Sequence, residues 1–545
     1  MNTGILPAST TVSLTTEPSP GRAVTWLALR QIRRGGLTVT GLAAGMTAVV
    51  AATYGQVMAD PAAAGSLRAL AGNPAIRTLF GVPIGLDTAG GFVVWRVGTV
   101  IAVLLGVWSI LATTRITRGE EDAGHWDVLL SGRVPLRDTV IRHLAVVMMV
   151  AAATATTITT VLLAAGTPPA GAIIHGAGTG LLGVFFAAVA ALTAQVFPAR
   201  SPATGTAVAV LGVGLLARMI GDGVTALGWL HWLSPFGLLT LSGPYVHNRT
   251  PPLLLLAVAA ALTTTATLAA AGRRDIRGGL IPAPAGRPAR TSLLAGVETF
   301  AVRRTLLPAT GWLIGIGAYY LLIGLTAVSV TGFLRDNPAL AGQAAQAGFA
   351  GLGSIPGFAA TLFAILAMPV AGFTTVRMTA FLAAETDRRL TLLTSQPVTR
   401  IRLLGAEVAV TAVAAAFLVT GAGLLTWAGV TIMGGDLALA AALHGTWNVL
   451  PIVLLSLGAA VLAVGWAPRW TGLIGGLPSV GAFLLLIIAE STAAPLWVRD
   501  LSPFAHLAPV PLTGPDPAAS AIMLATGVTL AVIGGLGYRR RDLLS

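Results

Sequence analysis

Long apolar runs separated by short polar bridges set the rhythm of this chain. Residues 37–58, 97–114 and 253–271 are close to the length of about 20 residues with which a helix crosses about 30 Å of hydrocarbon. Hydropathy places about twelve such helices, starting near residues 37, 92, 143, 172, 203, 252, 306, 355, 405, 443, 471 and 518. The ten-residue alternation of a membrane β-barrel is absent. The pattern predicts an all-α polytopic membrane protein.

Composition agrees. Charged residues are 10% of the chain and hydrophobic ones 55%, with mean hydropathy +0.83, whereas a soluble domain carries roughly 25% charge. Residues 1–20 are polar and hold no positive charge, so they lack the basic start of a secretory signal and read as a disordered tail. Without cysteine, disulfides and thiolate metal sites are excluded, and the seven histidines form no HExxH pair, so a metal site is not expected.

Every one of the 33 basic residues is arginine. A Walker A loop needs a lysine to reach the β- and γ-phosphates, so any ATP that drives this protein must bind another chain. The net charge of +13 is explained by topology rather than by nucleic acid. Alternate loops collect the arginines, among them Arg22, Arg115, Arg142, Arg200, Arg273, Arg377, Arg469 and Arg539, while the other loops hold only Arg68, Arg77, Arg249, Arg335 and Arg499. The positive-inside rule then puts the rich side, with both termini, in the cytoplasm.

The chain also repeats itself. "LRQIRRGGLTVTGLAAG" before the first helix resembles "ETFAVRRTLLPATGWLIG" before the seventh. "WLHWLSPFGLL" returns as "WVRDLSPFAHL", and "GRRDIRGGL" as "YRRRDLLS", in the same order at offsets of about 263 to 270 residues. Two parallel six-helix halves follow: residues 21–276 and 296–545, each with a basic interfacial segment and six helices, joined by a Pro-, Gly- and Arg-rich linker over 277–295.

One stretch breaks the avoidance of charge, "GEEDAGHWDVLLSGRVPLRD" at 119–138, between the second and third helices; its counterpart is "ETDRRLTLLTSQPVTRIR" at 385–402. Trp126, Leu129 and Leu130 fall at helical spacing with acids and arginines elsewhere, an amphipathic order that a loop serving only topology does not need.

Here the residues resemble a family. ABC-2 type exporter permeases carry after their second helix an acidic start, a Gly, a run of Leu, then Pro and Arg. The first half matches at Glu120, Glu121, Gly124, Leu129, Leu130, Ser131, Pro135 and Arg137, and the second at Glu385, Leu392, Leu393, Thr394, Pro397 and Arg400, with Arg388 or Arg389 where Gly is usual; Asp122, Trp126 and Asp387 lie in the same segments and join them as coupling-site candidates. The first half has an extra residue before Pro135, so the two copies are expected to dock unequally. The resemblance covers both halves and looks most like the single-chain actinobacterial permeases of the tetronasin type. It implies that these segments are coupling helices on which two copies of a cytoplasmic ABC ATPase dock. It also implies that ATP and Mg act only through that partner and that a lipophilic small molecule is exported across a bacterial plasma membrane. The chain itself would then be non-catalytic.

The basic segments before helices 1 and 7 admit lipid contact and, by the same resemblance, a connector helix. Trp26, Leu27 and Ile32 would lie in the interface, with Arg30, Arg33 and Arg34, and in the second half Arg303 and Arg304, facing the cytoplasm.

Ionisable groups inside spans are costly and are candidate functional sites. Arg96, Arg218, Asp222 and Glu490 qualify, all toward the external ends, where snorkelling or an Arg96–Glu490 pair is feasible; no carboxylate is expected mid-span. Trp108, Phe358 and Phe363 are further pathway candidates. The Gly- and Pro-broken segment 228–247, repeated at 496–512, resembles the external hairpin of the family. Two other classes stay open: a proton-coupled transporter of two six-helix halves, which would want an acid deep in a span, and a membrane enzyme on lipid-linked sugars, which would want clustered acids or histidines at one interface.

Overall fold

The computed structural model describes residues 20–59, 77–78, 81–132, 134–281, 292–336, 351–386, 390, 397–491 and 495–541. Among these there is no strand, and twelve helices are long and apolar enough to cross a membrane. The chain divides into two compact units, residues 1–64 with 80–286 and residues 65–79 with 287–545.

The first unit contains α1 (Pro20–Ala59), α2 (Ala89–Asp122), the short α3 (His125–Leu130), α4 (Leu136–Ala164), α5 (Pro169–Val196), α6 (Arg200–Gly223), the short α7 (Pro235–Ser242) and α8 (Pro251–Ala271). The second contains α9 (Val297–Asp336), α10 (Ile355–Thr386), α11 (Arg400–Ile432), α12 (Leu439–Trp466), α13 (Pro468–Leu486) and α14 (Pro517–Arg540). Most helices begin a few residues before their apolar run, because polar and basic first turns are helical too.

Two expectations are corrected. The basic segments before the first and seventh spans are not separate interfacial helices, since α1 and α9 run unbroken for 40 residues each. The expected linker is also shorter at its start: Leu280 and Ile281 donate backbone hydrogen bonds to the carbonyls of Gln195 and Val196 at the end of α5, so this piece is part of the first unit. Of the expected disordered tail, 1–20, Pro20 instead opens α1, and the remainder lies outside the described residues.

In each unit the fourth span is the most buried, while the first packs chiefly on the third. α5 contacts α2, α4 and α8; α12 contacts α10, α13 and α14. The absence of side chains lets α12 and α14 touch backbone to backbone. A Cβ on Gly458 would stand 2.2 Å from the Gly527 carbonyl oxygen, and one on Gly465 2.1 Å from that of Gly534. Such small-residue contacts replace the hydrophobic drive that is missing between helices in lipid.

The repeated Ser-Pro-Phe motif does the same work in both units. Ser234 Oγ donates to the Gly214 carbonyl at 2.6 Å and accepts from Gly237 N; Ser502 Oγ donates to the Ala482 carbonyl at 2.9 Å and accepts from Phe504 N. Each serine caps a helical turn that opens with proline and pins it to the preceding span, twenty residues upstream.

Candidate functional site: paired carboxylate clamps and the coupling segment

The acid that opens the charged island does not face outward. Glu121, at the end of α2, is 1% exposed. Arg274, just beyond α8, grips both of its oxygens at 2.6 and 2.8 Å, Arg118 lies 3.0 Å away one turn back on α2, and the backbone N–H of Arg277 donates at 2.6 Å. The arginines are themselves tied down: Arg118 Nε donates to the Ala194 carbonyl and its NH2 to that of Gly278, and Arg274 Nε donates to Gln195 Oε1. A π-helical turn, Arg115–Gly119, precedes the acid. One carboxylate thus joins the ends of α2, α5 and α8.

The second unit repeats the device. Glu385, near the end of α10, is buried, and Arg541, just past α14, donates to both its oxygens at 2.9 and 2.7 Å. Arg400 donates to the Arg541 carbonyl at 2.7 Å. The sequence matches "GRRD" and "YRRRD" place Arg274 and Arg541 in register, so in both units the acid after the second span is held by an arginine from the end of the sixth.

Around the first clamp the island folds as expected in part. Gly124, at φ 79°, takes the left-handed turn that starts α3. Trp126 is 2% exposed, against His143, Val140 and Ala271, with Leu129 and Leu130 half-buried beside it. What faces outward is Asp122, His125, Asp127, Val128 (78% exposed), Pro135 and Arg137. Asp127 pairs with Arg277, Glu120 with His125, and Asp122 accepts from the first N–H of α6, at Arg200. Glu121, Glu385 and Trp126 are therefore internal; the expectation that Glu121 and Glu385 present charge to a partner is corrected, because each is saturated by arginine from within its own unit. In the second copy Pro397 is exposed and Arg400 half-buried, while Asp387, Arg388, Arg389 and Leu392 lie outside the described residues.

Along α1, Trp26 is exposed with Arg30 over its ring at 5.3 Å, and Arg33 and Arg34 are exposed. Ile32 instead packs inward against the core of the first unit, correcting its interfacial placement. Arg303 is exposed, but Arg304 turns to Glu407 at 3.6 Å.

Glu407, near the start of α11, is an ionisable group within a span that the sequence reading did not single out. It is buried and ion-paired with Arg377 of α10 as well as with Arg304. Pro308 explains part of the geometry. It has no N–H to give the Arg304 carbonyl four residues back, and Arg377 NH1 donates to that oxygen instead, at 3.3 Å. A lone Glu in "LLGAEVAV" was its only signal.

Of the pathway candidates, Phe358 and Phe363 are core residues of the second unit, with Phe363 stacked on Tyr320, so neither lines a lumen within that unit. Trp108 is half-buried against Gly35 of α1. Arg96 is exposed, over the Phe92 ring at 6.0 Å, and the Glu490 side chain lies outside the described residues. Arg218 and Asp222 do not snorkel: both are buried and pair at 2.6 Å, and Asp222 also meets His231 at 2.8 Å. That hydrogen bond holds the His231 pKa above the ordinary imidazole value, against the opposing pull of burial.

The sequence model of a family described as the multidrug efflux system permease Rv1217c, C-terminal domain, matches residues 23–270 and 294–539. The chain belongs to this multidrug efflux permease family. A relative, the multidrug efflux system permease protein Rv1217c of Mycobacterium tuberculosis (strain ATCC 25618 / H37Rv), is 31% identical over 490 residues, covering 88% of this chain and 87% of the relative. The two segments matched to the permease family contain the two clamps nearly whole, each stopping a few residues short of its gripping arginine. A multi-pass permease accounts for the twelve apolar helices.

Proposed function

We propose that the chain is the membrane subunit of an ATP-driven ABC exporter of the ABC-2 type, which expels lipophilic small molecules such as antibiotics or drugs across a bacterial plasma membrane. A separate ATPase, in two copies, supplies the energy and carries the ATP and Mg. The observation that carries this reading is the recurrence of one arrangement in both units. The second span ends in a buried carboxylate locked to the last span, and in the first unit an exposed, charged, amphipathic turn follows at once. A short helix anchored by Trp126 and backed by an ion-paired clamp is a rigid handle; pushed by a partner, it moves the ends of α2, α5 and α8 together. The lack of any lysine, and so of a Walker A lysine, supports a partner-borne nucleotide site. On this reading both termini and both clamps lie on the cytoplasmic side, in keeping with the arginine-rich loops.

The test is reconstitution in liposomes with a Walker A ATPase subunit that has no spans of its own. ATP-dependent export of a lipophilic dye, requiring both chains and a two-to-one stoichiometry, is expected. Transport by the purified chain alone on a proton gradient would overturn the proposal in favour of a secondary transporter.

A further inference from the structure

Roughly 30 Å along α2 from its clamp, at about 1.5 Å per residue, the first unit holds a cavity of about 700 Å³ of empty space, its mouth included. Of this, about 70 Å³ is open to the centre of a water molecule, several times the roughly 10–15 Å³ that holds one, so the space exceeds what solvation of a stray polar group needs. The walls are largely apolar, with Val94, Ala102 and Leu239 among them. Two polar side chains in the lining are not accounted for by packing. His175 of α5 is 4% exposed, and its Nε2 has no hydrogen-bond partner. Leaving such a group unsatisfied forfeits the hydrogen bond that water would give it in the unfolded chain. Arg218 of α6 is 5% exposed; its Nε meets Asp222, and its two terminal nitrogens make no hydrogen bond among the described residues. Gly81, at φ 94°, makes room for that guanidinium, since a Cβ there would stand 1.9 Å from Arg218 NH2.

Asp222 is the one carboxylate in the cluster, and it is shared between Arg218 and His231. With His231 protonated, two cations meet one anion beside an apolar cavity. A guanidinium with two free N–H edges takes a carboxylate bidentately, and a neutral imidazole with Nε2–H adds a third donor.

We propose that this cavity binds an amphipathic anion, an apolar chain ending in a carboxylate-like head, with the head between Arg218 and His175. The ligand completes the charge balance of the cluster and satisfies the free imidazole nitrogen. The site lies wholly within one unit and needs no ATPase, so it stands or falls separately from the exporter reading.

The experiment is calorimetric titration of the full-length chain in phosphatidylcholine nanodiscs with decanoate and, as the head-group control, decanol. Empty nanodiscs give the background partitioning. Saturable binding of one decanoate per chain, at least ten-fold tighter than decanol, is expected. Arg218→Gln and His175→Phe should each weaken decanoate at least ten-fold and leave decanol unchanged, and Arg249→Gln, at an exposed arginine outside the cavity, should change neither. The double variant Arg218→Gln/Asp222→Asn keeps the charge balance should the single variant misfold. Repeating the titration with phosphatidylglycerol in the nanodiscs distinguishes sources of the anion: loss of decanoate binding there assigns the site to a lipid head group, and retention assigns it to a free acid. Equal affinity for decanoate and decanol, or a folded double variant that binds decanoate like the parent, overturns the proposal.

Discussion

At the scale of single residues, the charged groups of this chain divide into those that face outward and those that are neutralised inside. Glu121 is the plainest case. Replacing it with Gln leaves Arg118 and Arg274 without their counter-ion in a buried position, and breaking a buried pair on one side costs about 3–5 kcal/mol. Asp127→Asn, at an exposed pair, should cost less than about 1 kcal/mol. Thermal unfolding of the two variants in detergent checks the contrast, and equal losses would refute it. His231 adds a pH dependence whose sign is fixed. Its folded pKa lies above the unfolded value of 6.5, so its bond to Asp222 contributes fully below that value, and the contribution is lost as pH rises through the folded pKa. The stability advantage of the native chain over His231→Gln should accordingly shrink as pH is raised from about 6 upward. An advantage that grows with pH would show that the imidazole is bound neutral.

At the scale of elements, the spans were legible because apolar length is a direct physical requirement of the bilayer, and the duplicated charged and Ser-Pro-Phe motifs were legible because four matches keep their order. The direction in which a side chain points was not. Glu121 reads as one acid among several in a polar loop; only the return of the chain after α8, bringing Arg274 to it, makes it internal. Glu407 was hidden for the converse reason. A single acid in an apolar run carries no partner in the sequence, and Arg377 lies thirty residues away, on the neighbouring helix α10. The Ser-Pro-Phe repeat was visible as a motif, yet its function, pinning a turn to a carbonyl twenty residues upstream, needed the fold. The α9–α10–α11 contact now yields a prediction. Arg377→Leu strands Glu407 with only Arg304 at 3.6 Å and removes the donor to the carbonyl that Pro308 leaves open, which should cost about 3–5 kcal/mol. The double variant Arg377→Leu/Glu407→Leu removes both charges and should recover much of that loss, since a matched apolar pair often equals a buried ion pair. A double-variant cycle by chemical denaturation decides; additive losses would mean that the two residues do not act as a pair.

At the scale of the whole molecule, the two units share a device without sharing all its parts. The first clamp uses two arginines and a backbone N–H on Glu121; the second unit adds an ion-paired acid, Glu407, for which the buried positions of α4 have no charged counterpart. A handle and its anchorage are then separable in experiment. If a partner ATPase docks on the outward residues, Asp127→Lys, which reverses an exposed charge, should lower its co-purification several-fold while the folded permease stays intact. Glu121→Gln acts behind that surface. It should leave ATPase co-purification within about two-fold of the parent, because the residues that face outward are unchanged, while transport per ATP hydrolysed falls, because α3 is no longer tied through the clamp to the ends of α5 and α8. Measuring both quantities on both variants distinguishes contact from transmission. Loss of co-purification with Glu121→Gln in a stably folded chain would place that carboxylate in the docking surface after all, and unchanged coupling would reduce the clamp to a structural tie.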